Sequence, residues 1–266
     1  MNYLVPLDFS DNSRNAAVYA ASLQKVWPGN LNLLHVIERA EEDLSFVPVK
    51  TLNVRKNTIF EMVQFQEQLR KYFDLRTDAE MLVGDFGPRV MKSAREKRSD
   101  LIVIGTQGES GLRAHLFGRR AAELVEFSTR PVLAIPKATE FKPFRHILYV
   151  TDYRTSELEN IDALAKIAAK FKAVLSIVSV NVSCGEYVEE FKATVKERVP
   201  FAAINFEQRF SEEGVAQVVE EFALTQSVDL IGVSTIDHDL VRKITGQGVL
   251  DEQSFNVDLP VLFLPE

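Results

Sequence analysis

Cysteine is almost absent: the chain of 266 residues has a single one, Cys184. That excludes an internal disulfide and a four-thiolate zinc site, and it fits a reducing, cytoplasmic setting. The four histidines, His35, His115, His146 and His238, are scattered without metal-ligand spacing. No apolar run approaches the roughly 20 residues of a membrane span, and Asp8 interrupts the first apolar stretch before a signal sequence could develop. The expectation is an unprocessed protein with no membrane partner. An excess of basic charge is missing too: 31 Lys and Arg stand against 38 Asp and Glu, a net charge of -7. Nucleic-acid binding rests on neutralising phosphates with cations, so that class is disfavoured. Neither a G-x-x-x-x-G-K-[ST] loop nor a G-x-G-x-x-G turn after the first strand is present, which argues against P-loop hydrolysis and a typical dinucleotide site.

What is present reads as a globular protein of about two domains, with 46% hydrophobic and 26% charged residues. Residues 3–7 form a short apolar strand ending in Asp8, and Ser10-Asp11-Asn12-Ser13 supplies helix-capping chemistry. Ala16, Ala20, Leu23 and Trp27 then recur at helical spacing. A strand at 31–37, a helix at 51–73 with Ile59, Met62, Phe65 and Leu69 on one stripe, and a strand at 78–83 follow. Pro88 suits the first position of the next helix. Residues 101–104 are apolar without alternation, as in a strand covered on both faces. A glycine-rich loop, a short helix over 118–128 and a strand at 131–135 complete the unit.

From Phe144 the order begins again. Residues 146–150 run into Thr151-Asp152 as the first strand runs into Asp8. A helix stripe of Leu158, Ile161, Leu164 and Ala168, a strand at 173–180, a helix through Val215 to Phe222, and strands at 229–233 and 259–264 parallel the first half. This is an internal duplication. Alternating strands and helices predict parallel sheets covered on both faces. The expected architecture is α/β: two tandem open parallel five-stranded sheets, with domains at 1–139 and 143–266.

Ligands of open parallel sheets bind beyond the carboxyl ends of the strands. In the first half those positions hold Asp8, Val36, Gly84 and the run Gly105-Thr106-Gln107-Gly108-Glu109-Ser110-Gly111. Glycines at 105 and 108 allow close backbone approach, and Gly118 opens a helix whose free amides suit an anion. Arg119 and Arg120 lie in that helix's first turn, where each exposed cation opposes the dipole by about 0.3–1 kcal/mol. A bound anion reverses the penalty; two solvated arginines paired with Glu123 or another carboxylate are the alternative. Asp8 is either a helix-cap acceptor or a partner of ribose hydroxyls. His35 reads as a hydrogen-bonded core residue, Cys184 as unreactive, His115 as no metal ligand, and the acidic run at 41–43 as a solvated loop.

The stretches Leu4-Val5-Pro6-Leu7-Asp8-Phe9-Ser10, Leu34-His35-Val36-Ile37, residues 100–108 and residues 130–136 resemble the universal stress protein family, whose fold is adenine nucleotide alpha hydrolase-like. The resemblance is strong in the first half and loose in the second. Its nucleotide-binding pattern of three spaced glycines matches Gly105, Gly108 and Gly118, but Arg119 replaces the hydroxyl residue that follows. The resemblance implies Asp8 near the ribose or adenine, and the backbone around Pro6, Val36 and Ile104 against the adenine. It places Gly105, Gly108 and Gly118 around the phosphates of ATP, with or without Mg2+. Arg119, beside Arg120, either clamps a phosphate or fills the pocket.

The second half carries Ser234, Asp237 and Gln247 where those glycines stood, and a carboxylate at 237 repels a triphosphate. Gly246 and Gly248 leave a shifted loop open. By resemblance the two last strands pair within the chain as an internal pseudo-dimer; association of two whole chains is left open. The function expected is a cytoplasmic stress-response protein that binds adenine nucleotide in its first half and regulates protein partners. No catalytic residue is assigned, and any ATP hydrolysis would be slow. The rival is a nucleotide-free interaction scaffold of the same fold.

Overall fold

A computed structural model describes residues 1–38, 49–106, 117–137, 139–183, 185–245 and 258–265, with backbone alone for 49–55. Gly108, His115, Cys184, the acidic run at 41–43, Gly246, Gln247 and Gly248 lie outside the described residues. In chain order the first half comprises β1 (Asn2–Pro6), α1 (Asp11–Val26), β2 (Asn30–Ile37), α2 (Val49–Phe73), β3 (Thr77–Val83), α3 (Phe86–Glu96), β4 (Leu101–Gly105), α4 (Arg119–Phe127) and β5 (Val132–Ile135). The second half comprises β6 (His146–Thr151), a 3-10 turn (Thr155–Glu157), α5 (Leu158–Phe171), β7 (Val174–Val180), α6 (Glu186–Arg198), β8 (Ala203–Arg209), α7 (Val215–Thr225), β9 (Leu230–Ser234), α8 (His238–Thr245) and β10 (Val261–Leu264).

The two five-stranded sheets join edge to edge into one ten-stranded sheet, ordered β3-β2-β1-β4-β5-β10-β9-β6-β7-β8. Pairing is parallel within each half and antiparallel where β5 meets β10. There Leu133 sits opposite Leu262, Ala134 opposite Val261 and Val132 opposite Phe263. That register is symmetric about the two leucines, so a pseudo-two-fold axis runs between them. The central strands β4 and β9 are buried along their whole length, as strands covered by helices on both faces must be. The outer strands β3 and β8 carry exposed polar residues, which discourages edge-to-edge association.

One apolar layer lies on the α1 and α5 side, including Leu33, Leu133, Leu175 and Leu262. The other lies under α3, α4, α7 and α8, including Ile102, Val132, Ile231 and Phe263. Both layers run through the two halves without a break. The linker contributes Phe141 and Phe144, whose rings stand 6.3 and 4.7 Å from Phe171.

Local differences from the sequence expectations have simple causes. α3 begins at Phe86 after Asp85, so Pro88 is its third residue, where its missing N–H still lies within the four unpaired amides of a helix start. α6 and β8 occupy residues 186–209, for which the sequence pattern offers no element: α6 buries only Val188, Phe191 and Val195, and β8 is a half-exposed edge.

Candidate functional site

The strand order of the first half reverses between β1 and β4, and in open parallel sheets the ligand crevice lies outside the carboxyl ends at such a point. The described site candidates of the first half sit at the carboxyl ends of β1, β2 and β4 or at the start of α4. Leu4, Leu34, Val36, Ile102 and Ile104 are buried on the same face, and Pro6 at the end of β1 is buried opposite Leu34. Together they form an apolar wall beneath Phe86, the first residue of α3.

Asp8 stands beyond that wall, half-buried. One of its carboxylate oxygens, Oδ1, accepts hydrogen bonds from the Ser10 backbone N–H at 3.1 Å and the Ser10 hydroxyl at 2.6 Å. Burial alone would raise its pKa, but the bonds from Ser10 and Ser13 and the charge of Arg120 outweigh burial and hold it below the ordinary value. Ser10, not Asp8, caps α1, its hydroxyl accepting from the Ser13 N–H. Asp8 therefore braces the capping residue, and its Oδ2 faces the crevice toward Arg120.

Arg120 is the cation of this mouth. Its Nη1 lies 3.7 Å from Asp8 Oδ2, its Nε 3.3 Å from Glu38 Oε1, and its guanidinium stands 5.4 Å from the Phe86 ring centroid. One side chain from α4 thus ties the ends of β1 and β2 to the start of α3. Arg119 beside it is exposed and does not enter the crevice; among the described residues it has no ion-pair partner. Glu38 and Phe86 are site residues that the sequence reading passes over. The signal for Glu38 was present, since it directly follows β2; Phe86 needed the tertiary structure.

Gly105 has a particular reason to be glycine. A Cβ on Gly105 would fall 2.8 Å from the Asn12 carbonyl oxygen and 2.8 Å from its Nδ2, so its absence lets the end of β4 approach the first turn of α1. Gly118 caps α4 without a side-chain bond and donates its N–H to the Thr106 carbonyl at 2.5 Å, closing the neck of the loop between them. The Thr106 N–H is likewise spent on Ile135. The amides that helix geometry leaves for an anion are those of the first turn of α4, from Arg119 onward. His35 is held as a partly buried core residue, its Nδ1 2.7 Å from the Leu7 carbonyl and its ring 5.0 Å from Phe9.

The second half repeats the backbone and not the chemistry. Phe9 and Tyr153, each just after the strand-end aspartate, share φ values of 65° and 64°, a conformation rare for aromatic residues. Asp152, however, is exposed and pairs with Arg154. Ser234, in the place of Gly105, lies 3.5 Å from the Asn160 amide, and Asp237 Oδ1 accepts the Leu240 N–H at 3.0 Å as the cap of α8. The interior carboxylate here is Glu157, which accepts from the Tyr149 hydroxyl at 3.0 Å, the Thr151 hydroxyl at 2.7 Å and the Arg154 N–H at 3.1 Å. Burial first, and then the nearby Asp152 charge, push it up to about 7 against the pull of those hydroxyl donors. Among the described residues no cluster of His, Cys, Asp and Glu is arranged to hold a metal ion, and no helix is long and apolar enough to cross a membrane.

The model of the universal stress protein family matches residues 1–136. Universal stress protein YxiE of Bacillus subtilis is 30% identical over 142 residues, 50% of this chain and 96% of that protein. Universal stress protein MJ0531 of Methanocaldococcus jannaschii is 26% identical over 141 residues, 50% of this chain and 81% of that protein. Among solved structures, a universal stress protein from Archaeoglobus fulgidus is similar over 100% of this chain and 96% of its own, with a TM-score of 0.76 at 15% identity. That likeness carries the fold through both halves.

Proposed function

The chain belongs to the universal stress protein family, with the stress-related role that membership carries, and from that premise we propose that its first half binds an adenine nucleotide, ATP in the leading case. The observation that supports this most is the placement of Asp8. An ionised carboxylate, held below its ordinary pKa, stands at the crevice where the strand order reverses, the position from which a carboxylate meets ribose hydroxyls. Pro6, Val36 and Ile104 supply the apolar wall for the adenine. The phosphates lie toward the first turn of α4, between Gly105, Gly108 and Gly118.

In this reading Arg120 turns from its two carboxylates to the phosphates, which offer charge-assisted bonds in place of those it gives up. Arg119, exposed at the rim, adds a second cation. Mg2+ would be held mainly by the nucleotide, as this ion often is, with one or two protein carboxylates at most.

Residues 1–139 are the nucleotide domain and residues 143–266 a degenerate copy that holds no ATP, because its carboxylates are spent on an exposed ion pair, a helix cap and a buried knot. The protein acts in the cytoplasm as a regulator: occupancy changes its contacts with protein partners, and no side chain is assigned to catalysis. A second reading, a nucleotide-free scaffold, is favoured by the contact of Arg120 with both Asp8 and Glu38, since two carboxylates around one guanidinium leave that bridge negative toward a phosphate.

Thermal unfolding with ATP, with AMP and with neither separates the two. A ligand held only by the folded state at a hundred times its dissociation constant stabilises it by about 2.7 kcal/mol. ATP is expected to raise Tm, and Gly118→Glu, which puts a carboxylate at the phosphates, to abolish the rise while the far-ultraviolet spectrum stays unchanged. No rise with ATP, or an equal rise in the variant, rejects the nucleotide reading.

A further inference from the structure

The pseudo-two-fold axis between Leu133 and Leu262 makes the groove between α1 and α5 a double one, and its two sides are treated differently. α1 and α5 share a burial pattern: Asn12, Ser13, Ala16, Ala17 and Ala20 in one are matched by Asn160, Ile161, Leu164, Ala165 and Ala168 in the other. Asn15, Val18 and Tyr19 therefore correspond to Ala163, Lys166 and Ile167.

On the first side the interdomain linker lies along the groove, and the cavity of about 520 Å³ there is polar and charged in its lining, with Lys137, Glu140, Lys142, Asp229 and Asp258 around Tyr19. The Asn15 amide donates to the Thr139 carbonyl at 3.1 Å, and the Tyr19 ring stands edge-on to Phe141 at 5.2 Å. On the second side the linker contributes only the apolar ring of Phe144, and the cavity of about 380 Å³ is apolar. Leu133, Leu262 and Leu264 belong to its floor, and Leu23, Trp27 and Ile167 to its walls. Lys166 is exposed at its rim and, among the described residues, has no ion-pair partner. Asp100 also reaches the cavity, but its Oδ2 accepts the Asn2 N–H at 2.7 Å, as Asp229 Oδ2 accepts the Arg145 and His146 N–H groups on the other side.

We infer that this apolar cavity binds a small amphipathic carboxylate, an apolar chain of about a dozen carbons with one acidic head, a size within the usual range of ligand cavities. The three exchanged positions decide its class. A polypeptide would bring backbone polar groups that need partners; the side chain that serves the linker in this way, Asn15, is replaced by Ala163. The aromatic Tyr19 is replaced by the aliphatic Ile167. At the rim Val18 is replaced by Lys166, which offers an acidic head a charge-assisted bond at the edge of an apolar interior. The cavity lies at the amino ends of β4 and β5, the opposite edge of the first half from Asp8, so the inference does not depend on nucleotide binding.

Trp27 is the only tryptophan of the chain and lines the cavity, so its fluorescence reports occupancy, with equilibrium dialysis of radiolabelled dodecanoate as an independent readout. Dodecanoate, added below its micelle concentration, is expected to bind saturably at one per chain. Decanoate should bind about tenfold more weakly, the effect of two fewer buried methylenes. Lys166→Glu, a change at an exposed position, should weaken dodecanoate about tenfold, and Ala163→Phe, which fills the cavity, should abolish binding with an unchanged circular dichroism spectrum. Saturating ATP should leave the titration unaltered. Absence of saturable binding, unchanged binding in Lys166→Glu, or displacement by ATP overturns the inference.

Discussion

Asp8 and Asp152 close equivalent strands, precede equivalent left-handed aromatics, and live in opposite surroundings. The first is half-buried and reaches across the mouth of its crevice to an arginine from α4; the second is exposed and pairs with an arginine two residues away. In the second half the interior carboxylate is Glu157, on a 3-10 turn with no counterpart among the described residues of the first half. The two halves keep the same turn of the backbone, because both sheets need the same exit from the strand, while the interior carboxylate has moved from the strand end to the 3-10 turn.

The largest way to break this comparison is Glu157→Ala. It strands the Tyr149 and Thr151 hydroxyls and the Arg154 N–H without their acceptor, and chemical denaturation should show a loss of about 3 kcal/mol. Ser10→Ala in the first half removes only a helix cap and should cost about 1 kcal/mol.

Acid titration of stability sharpens the same contrast. The folded-state pKa of Glu157 is raised to about 7 from 4.5, so its contribution is fully present below 4.5 and is lost as pH rises through about 7. The folded-state pKa of Asp8 is lowered from 3.8, so its contribution is present above 3.8 and is lost as pH falls through the folded value. Glu157→Gln should therefore flatten the decline between pH 4.5 and 7 and leave the acid limb in place. A decline that persists in the variant would show that Glu157 is not its source.

Exchanging the residues at the ends of β4 and β9 gives a smaller effect. Gly105→Ser drives a Cβ against the Asn12 backbone and should cost about 2 kcal/mol, whereas Ser234→Gly gives up a long hydrogen bond and gains backbone freedom in the unfolded chain, about 1 kcal/mol. Equal costs in the two variants would remove the packing explanation for Gly105. The smallest effect belongs to Arg154→Gln: its exposed pair with Asp152 should contribute less than about 0.5 kcal/mol, readable as a Tm shift of a few degrees at most.

Much of this was legible beforehand. The two rounds of strands and helices follow from residues close together in sequence, whereas the pairing of the two last strands came from the family resemblance alone, which left its antiparallel direction unstated. His35 is the hydrogen-bonded residue that its apolar strand suggests. α6 and β8 were not legible, because a helix with three buried residues and a half-exposed edge strand show little periodicity. Nor was Arg120 distinguishable from Arg119 as the cation of the crevice: neighbours on a helix turn about 100° apart, and only the packing of α4 against the sheet decides which one faces inward.

The amino-acid sequence alone determined the layered α/β architecture and its repetition, since hydrophobic periodicity and turn chemistry act over a few residues. The tertiary structure decided the rest. The contacts of Arg120 with Asp8, Glu38 and Phe86, the donors around Glu157, and the cleft lined by charged linker residues on one side and by apolar residues on the other bring together side chains far apart in the chain, and their meeting depends on which helix faces which strand.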